Sequence, residues 1–402
     1  MKTILYIHHG KGIGGAPLSL LYLLEKIDQT RFHPVILFLY DSDVVDIFRQ
    51  RNYEVHIARG LYEFSHTTIE WYNIFYLHRF LHRIIYFVPS IYRSYRLVKN
   101  FSPDIVHLNS STLAPCAIGA KFAGCKVVWH IREPLSKGYL GIRKSILKWL
   151  IEKFSDAIIT ISNYDAQQLK KSNKIHFIPN FVDFKIFDYS LNGRPFREEY
   201  GVKDDVKTTG MLSGVTPVRG TLEFIKAIPY VIKEDKNCFF FVIGNFPQQI
   251  NFFKSPRNVI YWWRIRKVIK RKKLNEKIIF TGVRKDIPKV IAGLDMVVFP
   301  SIIPQFGRPL IEAGAMKKPV VAWDLGGQNE IVVDNVTGKL VSPGNPELLA
   351  RAISKILGDK ELAKSMGEEG YKRAKELYDA DVNSQAVFRI YEKGLNPGEK
   401  EL

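Results

Sequence analysis

The stretch Phe299–Asn345, FPSIIPQFGRPLIEAGAMKKPVVAWDLGGQNEIVVDNVTGKLVSPGN, decides the fold. Its apolar opening reads as a buried strand that ends at Pro300. A loop carrying Phe306 and Gly307 then leads into a helix starting near Pro309, because proline suits the first helical turn. Free N–H groups in the turn Gly307–Leu310, Pro309 itself having none, would face an anion there, aided by the helix dipole. Glu312 lies one turn further in, where it should avoid phosphates and suit sugar hydroxyls. Gly326-Gly327 follows the next strand and permits close backbone approach to a ligand, and Glu330 opens the following helix.

Strand and helix alternate in both directions from this stretch. Thr208–Leu212, Phe239–Ile243, Lys277–Thr281, Met296–Phe299 and Val320–Trp323 are the apolar runs around it. The first half repeats the pattern with Ile4–His8, Val35–Tyr40, Glu54–Ala58, Ile105–Leu108, Val127–His130, Ala157–Ile161 and Ile175–Ile178. Segments such as Leu18–Ile27 and Ile142–Ile151 carry the i, i+3, i+4 spacing of helices. Near-continuously apolar strands interleaved with helices predict a parallel sheet covered on both faces. The alternation pauses between residues 180 and 205. The expected class is α/β with two Rossmann-like domains, at 1–184 and 206–380, a linker at 185–205, and a C-terminal helix at 381–402 returning to the first domain.

The loop His8–Pro17, HHGKGIGGAP, spells G-x-G-x-x-G between a strand and a helix. A dinucleotide fold should place an acid at the end of the second strand, and Asp41 and Asp43 stand about there. No hydride-transfer constellation follows, and the loop lacks the Gly-Lys-Ser/Thr of a Walker site. Glycines here also serve a tight strand-to-helix turn. Asp41-Ser42-Asp43 reads as the turn after a strand rather than as a metal pair.

The 402 residues are 46% hydrophobic and carry a formal net charge of +19. Such a charge points to an anionic partner. Between Trp71 and Pro103 there is no acid, while Arg79, Arg83, Arg93, Arg96 and Lys99 alternate with aromatics. Residues 251–273 repeat that composition in YWWRIRKVIKRKK. One reading is a helical insertion with inward-packed aromatics; the other is an amphipathic surface on an anionic membrane. Cys116, Cys125 and Cys238 are scattered, fitting neither a disulfide framework nor a zinc site. The N-terminal apolar run is too short for a signal peptide, and no apolar run spans a bilayer. A cytoplasmic protein, peripheral on the inner membrane face, is expected.

Pro300, Ser301, Phe306, Gly307, Arg308, Glu312, Pro319, Gly326, Gly327, Glu330 and Gly338 together resemble the signature of the family-4 retaining glycosyltransferases. The resemblance extends over nearly the whole chain, through GIGGAPLSLLYLL, PDIVHLNS, VVWHIREP, IPNFVD, LSGVTPVRGTLEFIKAI and TGVRKDIPKVIAGLDMVVFPS. It implies the GT-B fold, two Rossmann-like domains facing each other across a cleft, and a nucleoside diphosphate sugar as donor. By position it implies that Arg219 in the loop after Gly214 neutralises the departing diphosphate. Glu312 would bind the ribose, Gly282 and Val283 would lie near the base, and Gly14 and Gly15 near the donor phosphates. His130 would face the sugar or acceptor, with Asn109 and Glu133 as acceptor-side candidates.

Two departures from the family pattern stand out. Pro304 occupies the place of the first signature glutamate, which leaves Gln305 as a neutral substitute, and Val215 replaces an arginine. The implied reaction is hexose transfer with retention to a saccharide or lipid-linked acceptor, in cell-surface polysaccharide or glycolipid synthesis. No cofactor or metal is expected. A sugar-nucleotide epimerase and a basic nucleic-acid binder are the rival readings, and the chain has no nucleic-acid recognition motif beyond its basic patches.

Overall fold

The computed structural model describes residues 1–10, 14–64, 77–246 and 256–392. Gly12 of the first glycine loop, residues 65–76 and 251–255 of the basic segments, and residues 393–402 of the C-terminal segment lie outside the described residues. The chain divides into two compact units, one of residues 1–180 with 380–402 and one of residues 181–379.

The first unit holds a parallel sheet in the order β3-β2-β1-β4-β5-β6-β7. Its strands are β1 (Lys2–His8), β2 (Phe32–Phe38), β3 (Glu54–Ile57), β4 (Ile105–Leu108), β5 (Lys126–Ile131), β6 (Ala157–Thr160) and β7 (Ile175–Phe177). Ile4, Leu5, Tyr6 and Ile7 are all fully buried, as a strand covered on both faces requires. The crossovers from β3 to β6 carry the helices Phe87–Phe101, Ala114–Phe122 and Ile142–Phe154. Right-handed crossovers advancing in one direction lay them on one face of the sheet. The first two approach closely because Gly119 has no side chain: a Cβ there would stand 2.6 Å from Ser94 Cβ.

Within the aromatic-basic segment, the helix Phe87–Phe101 buries Ser90, Ser94 and Val98 while Tyr92 faces solvent. The helix Leu77–Ile85 before it buries none of its residues. Ser90, Ser94 and Val98 make the fully buried stripe, and Phe87 and Phe101 at the helix ends are partly buried against the same core, so some of the aromatics do pack inward. The helix Ala380–Glu392 belongs to this first unit. Its Tyr391 is fully buried, with the hydroxyl 2.7 Å from His107 Nδ1, and its backbone carbonyl accepts from Lys2 Nζ at 2.8 Å.

The second unit holds a parallel sheet in the order β10-β9-β8-β11-β12-β13. The strands are β8 (Lys207–Leu212), β9 (Cys238–Ile243), β10 (Ile278–Gly282), β11 (Met296–Phe299), β12 (Val320–Trp323) and β13 (Gly338–Val341). Sequence periodicity does not reveal β13, a short edge strand whose Gly-Lys-Leu-Val is only partly apolar. Its first residue must be glycine, since a Cβ on Gly338 would come within 2.3 Å of the Val320 carbonyl oxygen.

Residues 185–205, expected to be a linker, are part of the second unit. Gly193 lies against the Ala292–Gly293 backbone, where a Cβ would be 2.3 Å away. Arg197, in the short helix Arg194–Glu199, is buried and donates to the Gly293 carbonyl at 2.9 Å and to Thr208 Oγ1 at 3.0 Å, and pairs with Asp295 at 2.8 Å. Polar bonds fix this segment, and hydrophobic periodicity does not register them.

Candidate functional site

In the second unit the chain runs from β8 to β9 and β10 on one side, then returns to β11 on the other. The crevice beyond the carboxyl ends of β8 and β11 is therefore the topological switch point, where open α/β sheets bind ligands. Arg219 sits there, at the end of the 3-10 turn Pro217–Arg219 in the loop after β8. Its half-buried guanidinium makes no hydrogen bond or ion pair among the described residues, and burial lowers its pKa from the usual arginine value. A cation held out of water without a carboxylate is costly unless an anion joins it.

The same loop contains Ser213 Oγ and Thr216 Oγ1, both buried and without a hydrogen-bond partner among the described residues. Sequence reading passed over both hydroxyls. Neighbouring glycines hold the loop in place. Gly214, at φ +63°, donates its N–H to Ile243 at 2.8 Å, and Thr221 Oγ1 donates to its carbonyl at 3.0 Å.

The loop after β11 is fastened alongside. Ile302 N donates to the Val218 carbonyl at 3.2 Å and Ser301 Oγ to the same oxygen at 3.1 Å. Gln328 Nε2 donates to the Ser301 carbonyl at 3.1 Å, bringing in the loop after β12. Pro304 packs on Gly326, where a Cβ would lie 2.3 Å from Pro304 Cβ. Gln305, considered as a stand-in for the missing glutamate, spends its amide on Ser301 Oγ at 2.8 Å. That bond fixes the amide nitrogen on the loop and leaves the Oε1 acceptor without a hydrogen bond among the described residues.

The helix Arg308–Ala315 begins with Gly307 as N-cap and Pro309 in the first turn. Glycine at 307 makes room for the neighbours, since a Cβ would stand 2.8 Å from both Leu310 Cδ1 and Phe299 Cε1, which would have to shift. Arg308 and Glu312, one turn apart and both buried, pair at 2.8 Å. Burial raises the Glu312 pKa, and Arg308 opposes that rise. Arg308 Nη1 also reaches the Phe181 carbonyl at 3.3 Å. Its charge is thus matched by Glu312, unlike that of Arg219. Phe306 meets Tyr378 edge-on at 5.8 Å. Glu330 uses its carbonyl to accept from Arg373 at 2.7 Å and from Tyr378 Oη at 3.1 Å. Gly282 ends β10 at φ +76° with open space where a Cβ would be, and Val283 beside it is exposed.

The first unit has its own switch point, between β1 and β4. Gly14 caps the helix Gly15–Glu25 there, with nothing within 4 Å of the place a Cβ would take. Asn109 follows β4 and bridges both sides: Nδ2 donates to the Ala16 carbonyl at 3.1 Å, and Oδ1 accepts from Arg132 Nε at 2.8 Å. Arg132 is buried and also donates to Asn180 Oδ1 at 2.6 Å. Glu133 Oε1 accepts from Ser110 Oγ at 2.6 Å, Ser111 N at 2.9 Å and Ser111 Oγ at 2.8 Å. Asn109 and Glu133 therefore organise the loops after β4 and β5, and Arg132, which the sequence did not single out, joins them.

His130 near the end of β5 is 1% exposed, and neither ring nitrogen has a hydrogen-bond partner among the described residues. Burial, then Arg132 and His107, hold its pKa well below the usual 6.5. It is a neutral imidazole, ready to donate or accept. Among the described residues no group of three His, Cys, Asp or Glu side chains could hold a metal ion, and no helix is long and apolar enough to cross a membrane.

Residues 13–185 match the Glycosyltransferase Family 4 family and residues 194–373 match Glycosyl transferases group 1. The alpha-D-kanosaminyltransferase of Streptomyces kanamyceticus is 25% identical over 210 residues, 52% of this chain. The chain spans about half of that relative, 51%. The UDP-Gal:alpha-D-GlcNAc-diphosphoundecaprenol alpha-1,3-galactosyltransferase of Escherichia coli is 24% identical over 68% of this chain and 72% of its own. Among solved structures, Anabaena HepE in complex with UDP and glucose superposes with a TM-score of 0.80 at 21% identity, covering 98% of this chain and 100% of HepE.

Proposed function

We propose, for a chain that belongs to the family-4 glycosyltransferases of GT-B fold, that it moves a hexose from a uridine diphosphate sugar to a hydroxyl of a saccharide or lipid-linked acceptor, with retention. The observation that carries this reading is the unmatched guanidinium of Arg219 at the switch point of the second unit. Breaking the anomeric bond loads negative charge onto the diphosphate. A fixed cation in a water-poor site stabilises that charge at little reorganisation cost, worth about 3 kcal/mol of barrier for a well-placed group. The amides opening the helix Arg308–Ala315 add a dipole of the same sense.

Glu312, held by Arg308, offers a carboxylate oriented for ribose hydroxyls. With retention, the departing phosphate assists the acceptor hydroxyl on the sugar face it leaves, so the protein supplies no nucleophile. In the first unit the neutral His130 can hydrogen-bond to a sugar or acceptor hydroxyl. The charge on the leaving group is met by Arg219 and helix amides, with no metal required. Uridine is favoured by the UDP in HepE and the UDP-Gal in the name of the Escherichia coli relative, whose diphosphoundecaprenol acceptor also favours a lipid-linked substrate. A lipid-linked acceptor places the protein at a membrane face.

The test is a thermal-shift panel of UDP, GDP and ADP, followed by product analysis with the corresponding sugars, with and without acceptor. UDP should stabilise the wild type and not Arg219→Ala. Stabilisation by none of the three, or sugar conversion without acceptor as in an epimerase, would remove the reading.

A further inference from the structure

We propose that Tyr391 and His107 are positioning residues for His130: the Tyr391 phenol fixes the ring and tautomer of His107, and His107 holds the His130 imidazole in the orientation it presents to a substrate hydroxyl. The inference rests on the transfer reading for what His130 meets, and on the first unit alone for how it is held.

Three neighbouring strands bring these side chains onto one face of the sheet. Tyr6 of β1 pairs in register with His107 of β4, and His107 with Val128 of β5. Side chains alternate along a strand, so His130, two residues past Val128, points to the same face one step nearer the carboxyl end. Tyr391 reaches this face from the helix Ala380–Glu392. Its ring is boxed by those of Phe32, His107 and Phe388, at 5.7, 5.9 and 6.1 Å. Besides the bond from Lys2, the ion pairs Lys26–Asp381 at 2.9 Å and Arg31–Glu392 at 2.8 Å tie the helix down. The phenol oxygen is therefore held in place.

The proton positions follow by exclusion. Tyr391 Oη lies 2.7 Å from His107 Nδ1, its one hydrogen-bond partner among the described residues. Burial pushes the phenol pKa well above its usual value and that of His107 well below, so neither group ionises. His107 Nε2 and the neighbouring Tyr6 hydroxyl have no hydrogen-bond partner among the described residues. With Nδ1 as the donor, the phenol proton and the Nε2 lone pair would both be buried unmet. With the phenol as the donor, a single N–H is left over, the smaller cost. The phenol therefore donates, and His107 carries its proton on Nε2.

His107 passes this order on. Its ring meets that of His130 edge-on, with centroids 5.3 Å apart and planes at 63°. No hydrogen bond to a described residue orients His130, so packing does, and the His107 ring is a wall of its pocket. In so dry a place the fixed imidazole dipole also acts strongly on its neighbour. A ring free to flip would offer His130 a different edge and a reversed dipole.

The experiment is histidine-selective nitrogen NMR on the full chain beside transfer kinetics. The variant is Tyr391→Phe, which removes one oxygen and keeps the ring in its box. His107→Gln and His130→Gln assign the two signals. Wild-type His107 should read as the Nε2–H tautomer, and Tyr391→Phe should shift the signals of His107 and His130 together. With the UDP-sugar that product analysis selects, Tyr391→Phe should lower kcat about tenfold while donor KM and the UDP thermal shift stay level. In the His130→Gln background it should cost no further rate, because it acts through His130. An Nδ1–H tautomer, a His130 signal unmoved by loss of the hydroxyl, or a rate loss that adds fully to that of His130→Gln would overturn the inference. So would lower stability in urea with kcat at the wild-type level, which would make Tyr391 a packing residue only. Coupled signals in a chain that turns over no UDP-sugar would strike the transfer reading alone.

Discussion

Gly220 stands directly against Pro300: a Cβ on Gly220 would come within 1.8 Å of the Pro300 carbonyl oxygen. Gly220 follows Arg219, and Pro300 opens the loop to the helix Arg308–Ala315. This one contact sets the distance between a cation and a helix N-terminus that come from separate crossovers of the sheet. Gly220, the residue before the helix Thr221–Glu234, is thus glycine for reasons of approach as well as of conformation.

Gly220→Ala should accordingly be severe. Its φ of +74° penalises any side chain, and the overlap is with backbone, which has no rotamer to yield. A loss of about 3 kcal/mol is expected in urea unfolding, with UDP stabilisation abolished. An unchanged unfolding midpoint would mean that the loop after β11 gives way freely.

Arg219→Ala should lower the transfer rate about 100-fold while leaving unfolding stability level or slightly raised, because no protein carboxylate loses its partner. Arg219→Lys should recover part of the rate, since charge returns without the guanidinium's geometry. Steady-state kinetics beside urea unfolding reads both effects. A full rate in the alanine variant would take the leaving-group role away from this residue.

Much of this was legible in advance because buried parallel strands leave continuous apolar runs, as in Met296–Phe299 and Val320–Trp323. Gly307 and Pro309 likewise announce a helix start by their own stereochemistry. What stayed hidden depends on partners distant in sequence. Arg197 looks like any surface arginine until Gly293 and Asp295 fold onto it. Glu133, an acceptor-side candidate by resemblance, is seen to gather Ser110 and Ser111 on one carboxylate oxygen only in the fold. The bond that fixes the Gln305 amide nitrogen on Ser301 Oγ likewise appears only once the loop is folded. Ser213 and Thr216 carry no sequence signal, since only the fold shows that their hydroxyls lack partners.

Chelation offers a separate check on how the leaving group is stabilised. With Arg219 and the amides before Leu310 meeting the diphosphate, transfer should proceed at an unchanged rate after EDTA treatment and dialysis. A rate that collapses and returns on adding magnesium or manganese would assign that charge to a donor-bound metal ion.

The pH dependence of stability draws on two of the buried histidines of the first unit, His107 and His130. His107 and His130 both have pKa values well below 6.5, chiefly because burial penalises the imidazolium. In the unfolded chain each binds a proton near the ordinary value, while the native state holds them neutral. The unfolded state therefore takes up more protons as pH falls through 6.5, and stability, fully present above that value, declines below it. The slope should approach about 1.4 kcal/mol per pH unit for each histidine. Urea titrations from neutral to mildly acid pH measure it, and His130→Gln should remove the share belonging to His130. If that variant keeps the wild-type slope, His130 is protonated in the native state, and its neutral hydrogen-bonding role at the acceptor falls with it.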